Sequence, residues 1–306
     1  MKHFSVPGRL YAVKGRRLYQ LSGSRVAAML PGTAVKDPAT TLDGARLAYA
    51  QIQASTSTIV VAQSDGQGME PITPSSAPEG ELWAYAPAFS SDGRQIAYLT
   101  DRGKRSSSPQ NLQPNDLGIW VYDTVAQRSA RMVAPVPYTG GAADPSYRPG
   151  TADQLVFTTY LYDGQPLQPV ARLTWRSTQT GRTAFLSPSL ARNLEPSFSP
   201  DGRFLAFVHA GPEGDDLYVM PVAPSYAAEP RSYPTDAANL VQSGMVAQPV
   251  WAPDGSALAF LMLVKGSFDL YILPVSTTGG LRATGPAVAI TQGSFFDADS
   301  RLAWSP

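Results

Sequence analysis

The sequence predicts an all-β fold: a six-bladed β-propeller of four-stranded antiparallel blades, with one blade split between the N- and C-termini. Three observations predict it. A phrase of the form Pro-x-aromatic-x-x-Asp-Gly, followed by a short apolar run, returns at a period of roughly fifty residues, within the range of solenoids, propellers and arrays. Each copy leads into two further apolar segments set apart by polar turns. The two ends of the chain carry complementary fragments of one more copy.

The phrase is clearest at Pro87-Ala88-Phe89-Ser90-Ser91-Asp92-Gly93, with Gln95-Ile96-Ala97-Tyr98 behind it. It returns as Pro196-Ser197-Phe198-Ser199-Pro200-Asp201-Gly202 with Leu205-Ala206-Phe207, and as Pro249-Val250-Trp251-Ala252-Pro253-Asp254-Gly255 with Leu258-Ala259-Phe260. Worn copies start at Pro38 (Asp43-Gly44, then Leu47-Ala48-Tyr49) and at Pro145 (Tyr147, Gly150, then Leu155-Val156-Phe157). Each copy reads as strand, tight turn, strand. Asp-Gly suits the positive backbone angles of a two-residue hairpin, and the aromatic and branched residues around it suit strands. A third strand follows at 59–61, 119–122, 173–175, 217–220 and 270–273, and a weaker fourth at 70–72, 131–133, 183–186, 239–241 and 287–290. Four antiparallel strands per repeat make a propeller blade. A parallel β-helix would repeat at shorter intervals, and the 3.6-residue period of helical repeats is absent.

The termini supply the sixth blade. Leu302-Ala303-Trp304-Ser305-Pro306 matches the opening of the phrase at Pro196, while Gly8-Arg9-Leu10-Tyr11-Ala12-Val13 matches its continuation at Gly202. Residues 18–21 and 26–30 then supply a third and fourth strand. Pairing the two ends closes the ring and removes an open sheet edge, which would otherwise invite association. The expected blades are 34–73, 84–135, 142–187, 192–243, 246–291, and 4–32 with 296–306, all in one domain spanning 1–306.

Composition agrees. The chain is 43% hydrophobic and 16% charged, with 26 glycines and 28 prolines, as a molecule built of many short strands and turns requires. Formal net charge is zero, so no electrostatic footprint for nucleic acid or an anionic membrane exists. No apolar run approaches the roughly 18 residues of a membrane span. With no cysteine, disulfides and thiolate zinc sites are excluded, and a location outside the cytoplasm is mildly favoured. Residues 1–4 lack the apolar core of a secretory signal, which leaves either a cytosolic protein or a chain given without its export segment. A monomer is expected.

Catalytic signatures are missing. No Gly-x-Ser-x-Gly elbow occurs, and the two histidines are His3 and His209. His209 shares a strand face with Leu205 and Phe207 and reads as packing between blades. Asp297-x-Asp299 and Glu213-Gly214-Asp215-Asp216 lack the ligand spacing of a calcium loop and read as solvated turns. No catalytic residue is assigned and no cofactor is expected.

A candidate binding site comes from stacking the repeats. The position before each repeat proline enters the innermost strand at the rim of the channel, and it holds Asp37, Ala86, Asp144, Glu195, Gln248 and, in the split blade, Arg301. Carboxylates crowded in a funnel favour a cation, an amine or a basic side chain. If a divalent metal binds in the channel, its ligands are Asp37, Asp144 and Glu195. The alternative is that these residues only bond neighbouring strand ends. The long connection at 101–117 lies on the same face, with Trp83, Tyr85, Arg102, Lys104 and Arg105 as candidate partner contacts. A second long connection, 223–236, lies on the opposite face.

The phrase aromatic-Ser-Pro-Asp-Gly-x-x-Leu-Ala-Phe, whole at 198–207 and nearly whole at 251–260, resembles the repeat of TolB-type six-bladed propellers, and the resemblance covers almost the entire chain. It implies a binding or interaction module outside the cytoplasm with a protein or peptide partner. TolB has an additional N-terminal α/β domain, for which a first blade beginning by about Arg9 leaves no room. The expected function is a non-catalytic scaffold, an enzyme being disfavoured, with docking on the channel face. The alternative is a small-molecule or metal-binding propeller, or an enzyme, that uses the acidic residues at the mouth.

Overall fold

A computed structural model describes residues 6–78, 80–103, 116–135, 141–151, 153–188, 190–222, 237–242 and 244–306. The chain opens with β1 (Val6–Lys14), β2 (Arg17–Gly23) and β3 (Arg25–Met29). Blade 1 is β4 (Val35–Thr40), β5 (Arg46–Ile52), β6 (Ser57–Gln63) and β7 (Glu70–Pro71). A small hairpin of β8 (Ser76–Ala77) and β9 (Gly80–Glu81), unforeseen in the sequence, leads to blade 2: β10 (Ala84–Phe89), β11 (Gln95–Thr100), β12 (Gly118–Asp123) and β13 (Arg128–Val133). Blade 3 is β14 (Ala142–Tyr147), β15 (Gln154–Asp163), β16 (Gln168–Ser177) and β17 (Thr183–Phe185); blade 4 is β18 (Asn193–Phe198), β19 (Phe204–Ala210), β20 (Asp215–Pro221) and β21 (Ala238–Val241). In blade 5, β22 (Val246–Trp251), β23 (Ala257–Val264) and β24 (Ser267–Ser276) are joined by two short pieces, β25 (Arg282–Ala283) and β26 (Val288–Ala289), which both pair with β24. The last strand, β27 (Ala303–Ser305), completes a sheet of order β27-β1-β2-β3. Six antiparallel blades result, the sixth shared between the chain ends as the terminal fragments predict.

The ring is held by apolar clusters between blades rather than within them. Tyr11, Val13 and Leu18 of the split blade pack on Val35, Leu47 and Tyr49 of blade 1. On its other flank, Leu10, Leu302 and Trp304 pack on Ala259, Leu261 and Ile272 of blade 5. Comparable clusters join blades 2 and 3, 3 and 4, and 4 and 5. Arginines add polar clasps: Arg9, Arg46 and Arg148 each donate to the carbonyl of the next blade's turn glycine, Gly44, Gly93 and Gly202.

The Asp-Gly turns differ from the two-residue hairpins expected. Only the glycines have positive φ (Gly93 at 68°, Gly202 at 67°), and the aspartates do not. The Gly93 N–H donates to the Ser90 carbonyl, giving a four-residue turn. Asp92 Oδ1 accepts from the Ser90 hydroxyl at 2.6 Å and from Arg94 N at 3.1 Å, so the aspartate caps the turn through its side chain. Asp201 repeats this with Ser199 and Arg203. In blade 5, where alanine replaces that serine, Ser256 supplies the hydroxyl to Asp254 at 2.7 Å.

At the closing seam, Leu10 faces Trp304 and Tyr11 faces Ala303, and Trp304 Nε1 donates to the Pro7 carbonyl at 2.7 Å. Gly8, at φ 67°, crosses so close beneath β27 that a Cβ would collide with the Ser305 carbonyl oxygen. Gly15 has a similar φ of 56° but open space around it. Gly8→Ala should therefore lower the melting temperature by several degrees more than Gly15→Ala, which carries only the backbone cost of roughly 1–2 kcal/mol. Equal effects in parallel thermal melts would contradict this close approach at the seam.

Candidate binding site at the channel mouth

Five residues before the repeat prolines share an unusual backbone. Asp37, Ala86, Asp144, Glu195 and Gln248 have φ values of 53°, 47°, 51°, 56° and 54°. Each lies where the innermost strand breaks register with its neighbour: between Lys36 and Ala39, Tyr85 and Ala88, Ala143 and Ser146, Leu194 and Ser197, and Ala247 and Val250. A left-handed residue at a bulge re-aims a side chain and frees its own N–H from the ladder. The repeated proline supplies no donor, so the bulge costs the ladder one bond fewer.

The freed groups clasp blade to blade. Asp37 accepts from Ala86 N of blade 2 and from Arg301 N beside the split blade, both at 3.1 Å. The Glu195 backbone N–H of blade 4 donates to Thr158 Oγ1 of blade 3 at 3.1 Å, next to the Asp144 carboxyl. Glu195 accepts from Gln248 N of blade 5 at 2.6 Å and from its Nε2 at 2.9 Å. Gln248 Nε2 also lies 3.2 Å from the Ala298 carbonyl. Ala86 has only a methyl side chain and cannot hydrogen-bond through it, so it does not continue the series between blades 2 and 3. The strand-end bonding weighed for these residues in the sequence is therefore present, and the same carboxylates also face the channel.

Arg301 works differently. Its Nη1 donates to the Pro145 carbonyl at 2.7 Å. Blade 3 stands opposite the split blade in a ring of six, so the guanidinium crosses the channel. It forms no ion pair among the described residues. Below it, on the side of the Asp-Gly turns, lies a cavity of about 170 Å³ to which all six blades contribute, among them Phe89, Tyr147, Phe198, Trp251 and Trp304. Above it, a cavity of about 450 Å³ opens on the mouth, lined by Asp37, Asp144, Trp83, Tyr85, Arg16, Lys36 and Asp299 with their apolar neighbours. Glu195 and Gln248 line a separate small space of about 30 Å³ against Arg301.

Burial dominates the electrostatics. The carboxyl of Asp144 is pushed up to about 6 by desolvation, with the Arg301 charge opposing this. Glu195 is pushed up to about 8, first by desolvation and then by the charge of Asp144. Asp37 also rises through desolvation, moderated by Lys36. Asp144 and Glu195 repel each other as anions, so the two titrate as a pair and burial favours keeping a proton on it.

The structure places five of these ring residues at equivalent bulges of their blades and adds neighbours that the sequence reading did not include. Lys36 pairs with Asp299 at 2.5 Å, Ser300 Oγ accepts from Asp37 N at 2.9 Å, and Asp297 accepts from Gly15 N and Arg16 N. The acidic turn 297–299 is thus a tie between chain ends rather than a merely solvated turn. Among the described residues, no three His, Asp or Glu side chains are placed to hold a metal ion, so Asp37, Asp144 and Glu195 do not form a ligand set as they stand. Of the partner-contact candidates, Trp83 and Tyr85 stack at 5.9 Å and 11° in the cavity wall. Arg102 lies over the Trp120 ring at 4.5 Å, outside that wall. Lys104 and Arg105 fall outside the described residues, as does the connection 223–236. His209 packs edge-on to Tyr218, with Nδ1 2.7 Å from Asn193 Oδ1.

Comparison with known proteins bears first on fold. No family model matches the chain. Among curated sequences, it is 25% identical over 228 residues to the uncharacterized peptidase YuxL of Bacillus subtilis, a match spanning 61% of this chain and 32% of that protein. Among solved structures, TolB of Acinetobacter baumannii aligns over 99% of this chain and 68% of its own, at a TM-score of 0.69 and 16% identity. The acylaminoacyl peptidase of Pyrococcus horikoshii aligns over 88% and 41%, at a TM-score of 0.53 and 14% identity. These likenesses bear on fold alone: with the ring closure seen here, the chain has a six-bladed β-propeller fold similar to that of TolB.

Proposed function

We propose that this propeller is a non-catalytic binding scaffold that docks a protein or peptide on its channel-mouth face and receives a basic side chain in the upper cavity. One observation carries the reading: Asp37 of blade 1, Asp144 of blade 3 and the stacked Trp83–Tyr85 pair line one space of about 450 Å³. Carboxylates attract the charge, and aromatic faces complement a cation and its alkyl stem. Lys36 and Arg16 share the wall, but Lys36 is held by Asp299, which leaves the Asp144 side more open to an incoming cation. The TolB-like fold and the absence of cysteine support a location outside the cytoplasm.

A second reading is a propeller that serves an enzyme, favoured by the sequence match to the peptidase YuxL. This chain has no Gly-x-Ser-x-Gly elbow, so hydrolysis would depend on a catalytic group supplied elsewhere. Binding to an array of short peptides that each present one Lys or Arg tests the first reading, with citrulline versions as neutral controls. Trp83→Ala and Asp144→Asn should each weaken the best binder about tenfold or more, corresponding to roughly 1.4 kcal/mol. Equal affinity for the citrulline peptides, or no binder at all, would remove the basic-group reading.

A further inference from the structure

The guanidinium of Arg301 has one bonded acceptor in the channel, the Pro145 carbonyl of blade 3, and shares a small space with the Glu195 carboxyl. That space is about 30 Å³, and its wall also includes Gln248. That volume is about one water's share of the liquid, enough room for a small displacement of a planar group. We propose that Arg301 is a two-position strap, held to Pro145 while Glu195 carries a proton and drawn onto the Glu195 carboxylate when that proton leaves. An arginine–carboxylate pair in an enclosed site is stronger than a bond to a neutral carbonyl, so ionisation of Glu195 biases the strap toward blade 4.

The groups facing Glu195 set when this happens. Asp144 on β14 and Asp215 on β20 oppose its ionisation by like charge. Gln248 on β22 and Arg301 favour it. Tyr160 on β15 feels both Asp144 and Glu195 and stays neutral, its own proton held more tightly by burial, while Asp37 on β4 acts on Asp144. Together these place the change near pH 8, with Asp144 ionising earlier, near pH 6. Moving the strap withdraws the positive charge that moderates Asp144, and so makes the upper cavity more receptive to a cation. This functional consequence rests on the scaffold reading above; the strap itself does not.

The experiment therefore reads the strap in the free protein. The Nε–Hε resonance of Arg301, assigned through Arg301→Lys, is followed by NMR from pH 5.5 to 9. A shift with a midpoint near 8 is expected. Glu195→Gln should abolish it, and Asp144→Asn should move it to lower pH by removing the repelling charge. A resonance flat across the range, or an unaltered transition in Glu195→Gln, would overturn the proposal. If Glu195→Gln does not fold, Asp144→Asn decides, since an unchanged midpoint there has the same force. Peptide affinities measured separately show whether the scaffold reading fails while the strap stands, or the reverse.

Discussion

Removing residues 296–306 should abolish cooperative melting altogether. The deletion takes away β27, the innermost strand of the split blade, and with it Phe296, Leu302, Ala303 and Trp304, all less than a tenth exposed. It uncovers the edge of β1, where Leu10, Tyr11 and Ala12 have no exposure at all. Truncating a single buried Leu, Phe or Trp to Ala costs about 2–5 kcal/mol, and whole domains are stable by only about 5–15 kcal/mol. Losing several such side chains, the Trp304–Pro7 hydrogen bond and the Asp297 tie to Gly15 and Arg16 exhausts that margin. The single substitution Trp304→Ala should instead leave a folded protein that melts lower by many degrees. Differential scanning calorimetry distinguishes the cases, and a truncated chain that melts like the parent would show that ring closure does not depend on this seam.

The second large effect concerns pH. Glu195 binds its proton more tightly in the folded protein, at about 8 against an ordinary 4.5, and Asp144 at about 6 against 3.8. Between these values the folded state holds more protons than the unfolded chain, so stability is greatest at the acid end of the window and falls as pH rises. Between pH 6 and 8 the loss should be on the order of 1–3 kcal/mol, dominated by Glu195. Glu195→Gln, which imitates the protonated form in shape and charge, should flatten this slope and be the more stable protein above pH 8. Urea unfolding at pH 6, 7 and 8 checks it. A parent protein whose stability rises over that interval would mean that Glu195 is ionised throughout.

What the sequence by itself determined is the architecture. A blade is a local object: proline, aromatic, Asp-Gly and an apolar run lie within about a dozen residues, and their spacing sets strand, turn and strand before any distant contact forms. The split blade was legible for the same reason, because Leu302-Ala303-Trp304 and Gly8-Arg9-Leu10 are two halves of one local phrase. The ring of residues at the mouth was legible too, since the repeat fixes which position of each blade faces the axis. Tertiary structure alone decided what those residues do. The left-handed bulge at Asp37, Ala86, Asp144, Glu195 and Gln248 leaves no signature in residue type, as an alanine and a glutamine adopt it alongside three acids. The partners of Glu195 and Asp37 come from the next blades, tens to hundreds of residues away. Whether a carboxylate there repels its neighbour or clasps it depends on distances of a few ångströms and on how far water is excluded. Arg301 reads in the sequence as one more member of the ring, and only closure of six blades carries its side chain across the channel to Pro145.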